Sequence, residues 1–417
     1  MTQTATGKFN VGGVLMDRPF KIRRLGHFGW NALDMESIVP HYRDLLGFRI
    51  SDVRDPYANK ERPPELRDIG DTAGYYMRYG SDHHSFVIYN HRLRELGPVH
   101  PSLRDKPRPP FNREDTINQI TWQLGSLQEV HDADHWFQDQ GVKTLRRGRD
   151  MPGSNWHTYM NDPDGFRNEI YYGIEQIGWD GHSKPKDLYY RAFHEEPPLP
   201  QISEAQELNE FVEKGGSITS GHHYLESLPA TYNVQGVLLP RPFKITKIGP
   251  VCLFVSDFDT SLAWYTNYLG FVPTSEVTHE GYRSAYLRVN TEHHSLVLHE
   301  KPLREVLELS AHTSSGPLGM QVANYQQLRD ALGFMREKGV KVTSLPADLT
   351  PGIDYSFLAH DKDGHAVLFY YYMEQIGWDG KTRSATEGPA ADLDNWPETV
   401  EQKSDTYLGE QFLGPWG

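Results

Sequence analysis

The sequence contains one cysteine and no long hydrophobic run. Cys252 by itself cannot form an intramolecular disulfide, and it cannot build a zinc site from several thiolates. No segment approaches the roughly 20 consecutive apolar residues of a membrane-spanning helix, and the N-terminus lacks the basic start and apolar stretch of a secretion signal. We therefore expect a cytoplasmic protein with no membrane partner, in which any metal is bound by His, Asp, Glu or amide donors.

An excess of positive charge is also lacking. The chain has 42 Lys and Arg against 56 Asp and Glu, which gives a formal net charge of −14 at pH 7. This charge disfavours binding to a polyanion, so we expect no nucleic-acid partner. Aromatic residues are plentiful, with 18 Phe, 9 Trp and 23 Tyr, which is typical of globular chains. At 417 residues the chain is long enough for two or more domains.

The sequence repeats itself. Residues 10–26 read NVGGVLMDRPFKIRRLG, and residues 233–249 read NVQGVLLPRPFKITKIG. Further pairs follow in the same order, namely HYRDLLGF with WYTNYLGF and SDHHSFVIYN with TEHHSLVLHE, and both copies end in EQIGWDG. Such self-similarity indicates a duplicated domain. We divide the chain into a first domain, a linker, a second domain and a C-terminal tail, at residues 1–181, 182–232, 233–380 and 381–417.

Each copy splits again into two similar halves. A half begins with a short apolar strand, which is followed by an amphipathic helix; in the first half Ile38, Tyr42 and Leu45 recur at helical spacing. Gly47 and Gly270 stand where the helices of the two copies should end. Several stretches with alternating or β-branched and aromatic character follow each helix. The chain is therefore predicted to be an α+β protein made of four tandem βαβββ modules.

Four short motifs of the first copy point to a known family. They are LGH on the first strand, DHH in the middle, the turn DPDG, and NEIYYG near the end. With the four-module layout, they resemble the vicinal oxygen chelate superfamily, and within it the two-domain type I extradiol ring-cleavage dioxygenases. The resemblance implies two glyoxalase-like domains, in each of which two modules curve into an open cup.

The resemblance also implies where a metal would bind. Its ligands come from the first strand of each module and the last strand of the second, which in the first copy gives His27, Gln119 and Glu169. The matching residues of the second copy cannot bind a cation; they are Pro250, Pro317 and Leu368. We therefore predict a metal site in the first domain and a metal-free second domain. Fe(II) is the expected metal, with Mn(II) or another divalent ion as the alternative.

Three further residues are predicted to act in catalysis. His84, in DHHSF, matches the acid–base histidine of extradiol enzymes, and an imidazole titrates in the range that proton transfer from a catechol requires. However, the second copy retains His294 at the same place, so a role in the fold remains equally open. Tyr159 lies ten residues before Glu169, as the active-site tyrosine does in those dioxygenases.

The strand that carries Tyr159 offers one more imidazole. His157 is two residues away, so it should lie on the same face of the strand. The second copy has Phe357 or Leu358 near the position of Tyr159, and the loss of the hydroxyl favours a functional role for the tyrosine. Tryptophans at strand positions either wall the pocket or pack in the core; they are Trp30, Trp122 and Trp156.

Three functions are compatible with these features. In the first, an extradiol-type dioxygenase cleaves a small aromatic, catecholic substrate with dioxygen. In the second, a glyoxalase-like isomerase, lyase or epimerase uses the metal without redox change; Gln119, which stands where the dioxygenases have a second histidine, favours it. The apolar run Phe86–Tyr89 offers no carboxylate base and favours the dioxygenase. In the third, the protein only sequesters an aromatic compound. We also expect a homo-oligomer, because such domains expose edge strands.

Overall fold

The structure is a computed structural model of the full chain. It describes residues 7–58, 61–62, 64–95, 116–149, 151–189, 202–310, 314–377, 379–382 and 392–401. Parts of the predicted linker and tail lie outside the described residues, namely 190–201, 383–391 and 402–417. None of the helices within the described ranges combines the length and the apolar character that crossing a membrane requires.

The first domain is built on one eight-stranded sheet. A hairpin of β1 (Phe9–Val11) and β2 (Val14–Met16) precedes it, and its strands are β3 (Ile22–Ala32), β4 (Arg49–Arg54), β5 (Gly74–Arg78), β6 (Phe86–Asn90), β7 (Ile117–Leu124), β8 (Thr144–Gly148), β9 (Trp156–Asn161) and β10 (Arg167–Tyr172). Their order across the sheet is β4-β5-β6-β3-β7-β10-β9-β8. The first strands of the two modules, β3 and β7, therefore lie side by side at the centre.

The second domain repeats this plan with its sheet divided in two. A hairpin of β11 (Tyr232–Val234) and β12 (Val237–Leu239) again comes first, followed by β13 (Ile245–Ile248), β14 (Val251–Val255), β15 (Val272–His279), β16 (Tyr282–Arg288), β17 (Leu296–Glu300), β18 (Leu318–Val322), β19 (Lys341–Thr343), β20 (Ser356–His360) and β21 (Ala366–Tyr370). One sheet has the order β13-β18-β21-β20-β19 and the other β14-β17-β16-β15. The predicted four-module α+β architecture is confirmed.

Each module carries a helix against the outer face of its strands. In the first domain the helices are α1 (Met35–Pro40), which continues as a π-turn over His41–Leu45, α2 (His91–Glu95) and α3 (Leu127–Asp139), with a 3-10 turn at Pro64–Leu66. The linker contains α4 (Lys186–Tyr189) and α5 (Glu204–Glu213). The second domain has α6 (Phe258–Trp264), its π-turn Tyr265–Leu269, α7 (Leu303–Val306), α8 (Tyr325–Glu337) and a 3-10 turn at Ala347–Leu349.

The two faces of the first sheet differ in polarity. On β3, Phe28 and Trp30 belong to the hydrophobic core that is shared with the helices and the second domain. Because side chains alternate along a strand, His27 points to the opposite face, which forms the inside of the cup. The same alternation on β7 sends Ile120 and Trp122 to the core, whereas Thr121 faces the cup. The core face thus holds the domains together, and the cup face is left for a site.

The helix ends predicted at Gly47 and Gly270 are confirmed, and they also have a role between domains. Both glycines have positive φ, +89° and +81°, which L side chains rarely adopt. A Cβ at Gly47 would collide with the guanidinium of Arg241, and one at Gly270 with that of Arg18. These arginines belong to the repeated RPF segments of the opposite copies. Glycine is therefore required both by the backbone and by the approach of the partner domain.

The two domains exchange a reciprocal pair of buried hydrogen bonds. The hydroxyl of Tyr42 donates to Oδ2 of Asp361 at 3.1 Å, and that of Tyr265 donates to Oδ2 of Asp162 at 2.8 Å. The tyrosines occupy equivalent positions of the two repeats, as do the aspartates of the turns NDPDG and HDKDG. The aspartates of these turns therefore dock each domain onto the first helix of the other.

Aromatic side chains fill the rest of this interface. Trp30 stacks on His365 with ring centroids 4.4 Å apart, and its indole N–H donates to Oγ of Ser315 at 3.1 Å. Trp122 meets Phe271 edge to face at 4.9 Å. Trp30 and Trp122 are therefore core residues of the domain interface and do not wall the cup.

The interface hydrogen bonds can be tested by removing the hydroxyl groups. We expect Tyr42→Phe and Tyr265→Phe each to lower the free energy of unfolding by about 1–3 kcal/mol, because each leaves a buried carboxylate oxygen without its donor. Guanidinium denaturation measures the change. Tyr172→Phe is the matched control, since its side chain is 39% exposed, and it should change stability by less than about 0.5 kcal/mol. Equal effects of all three substitutions would refute the role of the reciprocal bonds.

Candidate metal centre in the first domain

His27 and Glu169 are brought together by strand register. In the antiparallel pair of β3 and β7, His27 lies opposite Thr121, and in the parallel pair of β7 and β10, Glu169 lies beside the same threonine. The three side chains form a row across three adjacent strands on the cup face. Nε2 of His27 is 3.2 Å from Oε2 of Glu169, and the two residues are 0% and 1% exposed.

The carboxylate of Glu169 is fixed from several sides. The hydroxyl of Thr121 donates to Oε2 and the amide of Asn155 to Oε1, both at 2.9 Å, and Nδ1 of His157 is 3.7 Å from Oε1. Burial alone would raise the pKa of Glu169. The imidazoles of His27 and His157 and the Thr121 hydroxyl outweigh burial and lower that pKa to about 2. Glu169 is thus a buried, ionised carboxylate that two imidazoles, a hydroxyl and an amide surround.

Gln119 lies diagonally across from His27. It pairs with Gly29, so it is two residues from Thr121 on β7, on the same face of the sheet. Diagonal neighbours of an antiparallel pair are about 7–8 Å apart, which is within reach of long side chains. None of the hydrogen bonds described for Glu169 comes from Gln119. The structure therefore places the three predicted ligands on one face, and it brings two of them into contact.

Tyr159 and His157 lie on the cup face of β9, as predicted. Tyr159 is directly opposite Glu169 in the register of β9 and β10, and the rings of His157 and Tyr159 are 4.9 Å apart. The guanidinium of Arg146 lies 4.9 Å above the Tyr159 ring and donates to Nε2 of His157 at 3.0 Å. A ring nitrogen that accepts from arginine carries no proton. Nδ1 of His157 is then the protonated nitrogen, and it faces the carbonyl of Asn155 at 3.2 Å.

His84 stands next to His27, with ring centroids 4.3 Å apart. Its Nδ1 is 3.0 Å from Nδ1 of His83, so one ring donates to the other. Complete burial, together with His27 and His83, holds the pKa of His84 well below the ordinary value of 6.5. His84 is therefore a neutral imidazole at the edge of the candidate site.

The histidine pair recurs in the second domain with the same geometry. Nδ1 of His293 is 3.0 Å from Nδ1 of His294, and the His294 ring packs 5.1 Å from Tyr286, just as that of His84 packs 5.1 Å from Tyr76. In both domains the backbone N–H of the first histidine donates a hydrogen bond to a backbone carbonyl of the EQIGWDG segment. The pair therefore joins the two modules of each domain. A role of His84 in the fold is supported, and its role in catalysis stays a prediction.

The cup of the second domain is apolar where the first has its polar row. The register that pairs Tyr159 with Glu169 pairs Leu358 with Leu368, which identifies Leu358 as the equivalent of Tyr159. Leu358 and Leu368 belong to a hydrophobic cluster that also contains Tyr370 and Met373. The backbone N–H of Gly319 donates to the carbonyl of Pro250 at 2.9 Å. Pro250 and Gly319 are thus the counterparts of His27 and Thr121 in this domain.

Sequence reasoning missed three residues that shape the site. Thr121 and Asn155 bind Glu169, and Arg146 binds His157. The period of two along β7 could have indicated Thr121, because it shares the face of Gln119. Asn155 and Arg146 carry no comparable signal: the contact of Asn155 depends on how the segment before β9 folds, and that of Arg146 on the register shift between β8 and β9.

The donor set fits a divalent cation, although it is not a cluster of strong ligands. Within the described part of the chain, no group of three or more His, Cys, Asp or Glu side chains could hold a metal ion. The predicted set differs because its third donor is the amide of Gln119. Nδ1 of His27 is buried and has no hydrogen-bond partner in the structure. A carboxylate, an imidazole and an amide oxygen suit Fe(II) or Mn(II).

Comparison with protein families identifies the fold. A model of the Glyoxalase/Bleomycin resistance protein/Dioxygenase superfamily matches residues 24–170 and 247–369, which together make up more than half of the chain. The chain belongs to this superfamily. Both matched ranges correspond to the two domains seen here, so the vicinal oxygen chelate fold is present twice. A search of curated protein sequences found no match.

Solved structures of the superfamily include enzymes of two kinds. The Mn(II)-bound glyoxalase from Novosphingobium aromaticivorans is 12% identical, with a TM-score of 0.52, over 86% of this chain and 85% of that chain. The 2,3-dioxygenase LapB from Pseudomonas sp. KL28 is 14% identical, with a TM-score of 0.53, over 86% and 95%. Homoprotocatechuate 2,3-dioxygenase from Brevibacterium fuscum is 13% identical, with a TM-score of 0.53, over 88% and 85%. At such identities the likeness establishes the fold alone.

The neutral histidines of the second cup predict a pH-dependent stability. Burial lowers the pKa of His299 from 6.5 to about 4. As the pH falls from 6.5 to 4, the unfolded chain therefore takes up a proton that the folded chain does not. We expect the free energy of unfolding to fall over this window, with His299 contributing up to about 3 kcal/mol.

The His299→Gln variant should lose this part of the pH dependence in urea denaturation series at pH 4 to 7. Because Oγ of Ser284 is 2.7 Å from Nδ1 of His299, Ser284→Ala is the matched control: it removes the hydrogen bond and keeps the imidazole. The control should be less stable at every pH with the slope of the wild type. A wild-type slope in His299→Gln would contradict the assignment.

Proposed function

We propose that the first domain contains a divalent-metal site and that the protein is an extradiol-type dioxygenase acting on a catecholic compound. One observation carries the proposal: the first cup holds a buried carboxylate–imidazole pair, Glu169 and His27, where the second cup has Leu368 and Pro250. A buried carboxylate is costly to keep without a cationic ligand, whereas apolar residues at the same places carry no such cost. The divergence of otherwise similar domains therefore favours a functional site in the first.

The metal would be held by His27, Gln119 and Glu169. When bound, Fe(II) would supply the chemistry that activates dioxygen and accepts the two adjacent oxygens of a catecholate. The protein contributes one negative charge, that of Glu169, because imidazole and amide donors are neutral. A monoanionic catecholate would then balance the single positive charge that remains. Mn(II) is the alternative metal for this donor set.

The other residues of the cup would position the substrate and move protons. Thr121 and Asn155 hold the Glu169 carboxylate in a fixed orientation. The Tyr159 hydroxyl would donate to a substrate oxygen, and the Arg146 guanidinium above its ring would add positive charge next to an anionic ring. The neutral ring of His84 would form a hydrogen bond with a substrate hydroxyl and exchange a proton with it.

The segment 151–155 excludes water from this site. The backbone at Gly153 packs on the histidine pair, so that a Cβ there would lie 2.9 Å from the His84 ring, and Asn155 bonds Glu169 directly. Because both Glu169 and His27 are buried, we propose that this segment moves when a substrate enters. Displacement of Asn155 would at the same time free an oxygen of Glu169.

A glyoxalase-like isomerase is the second candidate, and Gln119 favours it. Such a reaction needs a base in addition to the metal ligands. The cup-facing residues of β6 are Val87 and Tyr89, neither of which is a carboxylate, and the Tyr89 hydroxyl is bonded to that of Tyr76. The missing base on this strand favours the dioxygenase. Assembly into a homo-oligomer remains a prediction.

Oxygen dependence separates the two functions. We expect the protein, loaded anaerobically with Fe(II), to consume one O₂ per catecholic substrate and to form a yellow ring-cleavage product when air is admitted. Glu169→Gln should lower this activity by at least about 100-fold, because the neutral amide loses the charge that the metal requires. His299→Asn, in the second cup, should retain it. An oxygen electrode measures the O₂ consumed by each variant, and metal analysis measures the iron that it binds.

Turnover of an α-keto or vicinal-diol substrate with Mg(II), unchanged by removing oxygen, would contradict the dioxygenase and favour the isomerase. Stoichiometric binding of the aromatic compound without metal and without turnover would contradict both.

A further inference from the structure

A cavity of about 350 Å³ lies between the two domains, away from the cup of the first domain. Its wall contains three cationic side chains: Arg18 and Lys21 come from the arm before β3, and Arg288 comes from the end of β16. No carboxylate is among the described residues that line it. A cavity with three cations and no acid in its wall is an electrostatic site for an anion.

Because the domain is duplicated, the arginines of this cavity have counterparts elsewhere in the protein. At the counterpart, a carboxylate of the chain lies beside the arginine. By the repeat, Arg241 corresponds to Arg18 and Arg78 to Arg288. The linker passes over this second place: Glu226 lies with its Oε2 3.6 Å from Nη2 of Arg241, and the backbone of Tyr224 reaches the neighbourhood of Arg78. A carboxylate of the chain, that of Glu226, therefore lies beside Arg241 in the first domain's counterpart of the cavity.

The two places match in detail. Nη1 of Arg78 donates to the carbonyl of Gly80 at 3.2 Å, and Nη1 of Arg288 donates to that of Asn290 at 3.1 Å. The Arg241 and Arg18 guanidinium groups approach Gly47 and Gly270 in the same way, as described above. The cations are thus preorganised alike, and among the described residues only the first place has a carboxylate, that of Glu226, beside its arginine.

The guanidinium of Arg18, in the wall of this cavity, makes few of the hydrogen bonds open to it. Nε of Arg18 is buried and has no hydrogen-bond partner in the structure, and its Nη2 reaches only backbone carbonyls at 3.4 and 3.5 Å. The carboxylate of Glu129, near Lys21, is bound by the Arg23 guanidinium at 3.0 Å. Burial, followed by repulsion from Arg23 and Arg288, lowers the pKa of Lys21 to about 8. An added negative charge would relieve this repulsion.

We propose that the cavity between Arg18, Lys21 and Arg288 binds a small carboxylate anion, which takes the place that Glu226 fills in the other copy. The anion bridges the two domains, because Arg18 and Lys21 belong to one and Arg288 to the other. The site is separate from the proposed metal centre and does not depend on it.

Calorimetric titration of the full chain with sodium succinate, at an ionic strength held constant with NaCl, tests the proposal. We expect saturable binding of one succinate per chain. Arg288→Gln should weaken binding by at least about tenfold, since a charge-assisted hydrogen bond is lost. Arg283→Gln is the matched control on the same strand; its guanidinium is ion-paired with Asp259 and Glu276 outside the cavity, and binding should stay within about twofold.

A second variant keeps the test valid if Arg288→Gln does not fold. Val272 lines the cavity and is 47% exposed, so Val272→Asp places a carboxylate there without disturbing the core. It should abolish succinate binding by occupying the site, as Glu226 does at the other. Absence of saturable binding to the wild type, or equal loss in Arg283→Gln, would overturn the proposal, and so would unchanged binding in Val272→Asp.

Discussion

The reciprocal hydrogen bonds between the two domains are the constraint on which the rest of the structure depends. Asp162, which accepts from Tyr265, lies in the turn that leads directly into β10, the strand of Glu169. Asn168, the neighbour of Glu169, accepts from the Trp122 indole and donates to the same tyrosine hydroxyl. The outer face of β10 is therefore fixed by the second domain, while its inner face presents the carboxylate. The second domain thus positions the candidate site of the first.

Because the domain is duplicated, the two copies share many residues. Most of the shared residues join modules and domains, and few of them belong to the candidate site. Both copies keep the features that join modules and domains: the histidine pair, the glycines after the first helix, and the aspartates of the turns. The residues that differ face the two cups. In the first, His27, Thr121 and Glu169 form a polar row; in the second, Leu358 and Leu368 pack in a hydrophobic cluster. Selection for folding alone would not require this difference, because apolar residues satisfy the same backbone.

The sequence predicted the duplication, the modules and the helix ends, because each leaves a local pattern. The resemblance to the superfamily also implied that His27 and Glu169 would meet, and the register of β3, β7 and β10 brings them together. The contacts of Asn155 and Arg146 were not predictable, as the first depends on the path of a loop and the second on an irregular register between β8 and β9. Strand periodicity predicts on which face of the sheet Trp30 lies. It does not predict that this face packs against the second domain, where Trp30 stacks on His365. The occupancy of one cationic cavity by Glu226 likewise depends on the linker path.

The central claim is that one of two similar cups binds a metal ion. Anomalous diffraction from crystals grown with Mn(II) tests it most directly, because it locates the metal without any assumption about the reaction. The account predicts one strong anomalous peak per chain, within coordination distance of His27 and Glu169, and none in the cup of Leu368. A peak in the cup of the second domain would contradict this claim. Full-occupancy Mn(II) bound elsewhere, with none at Glu169, would contradict it as well.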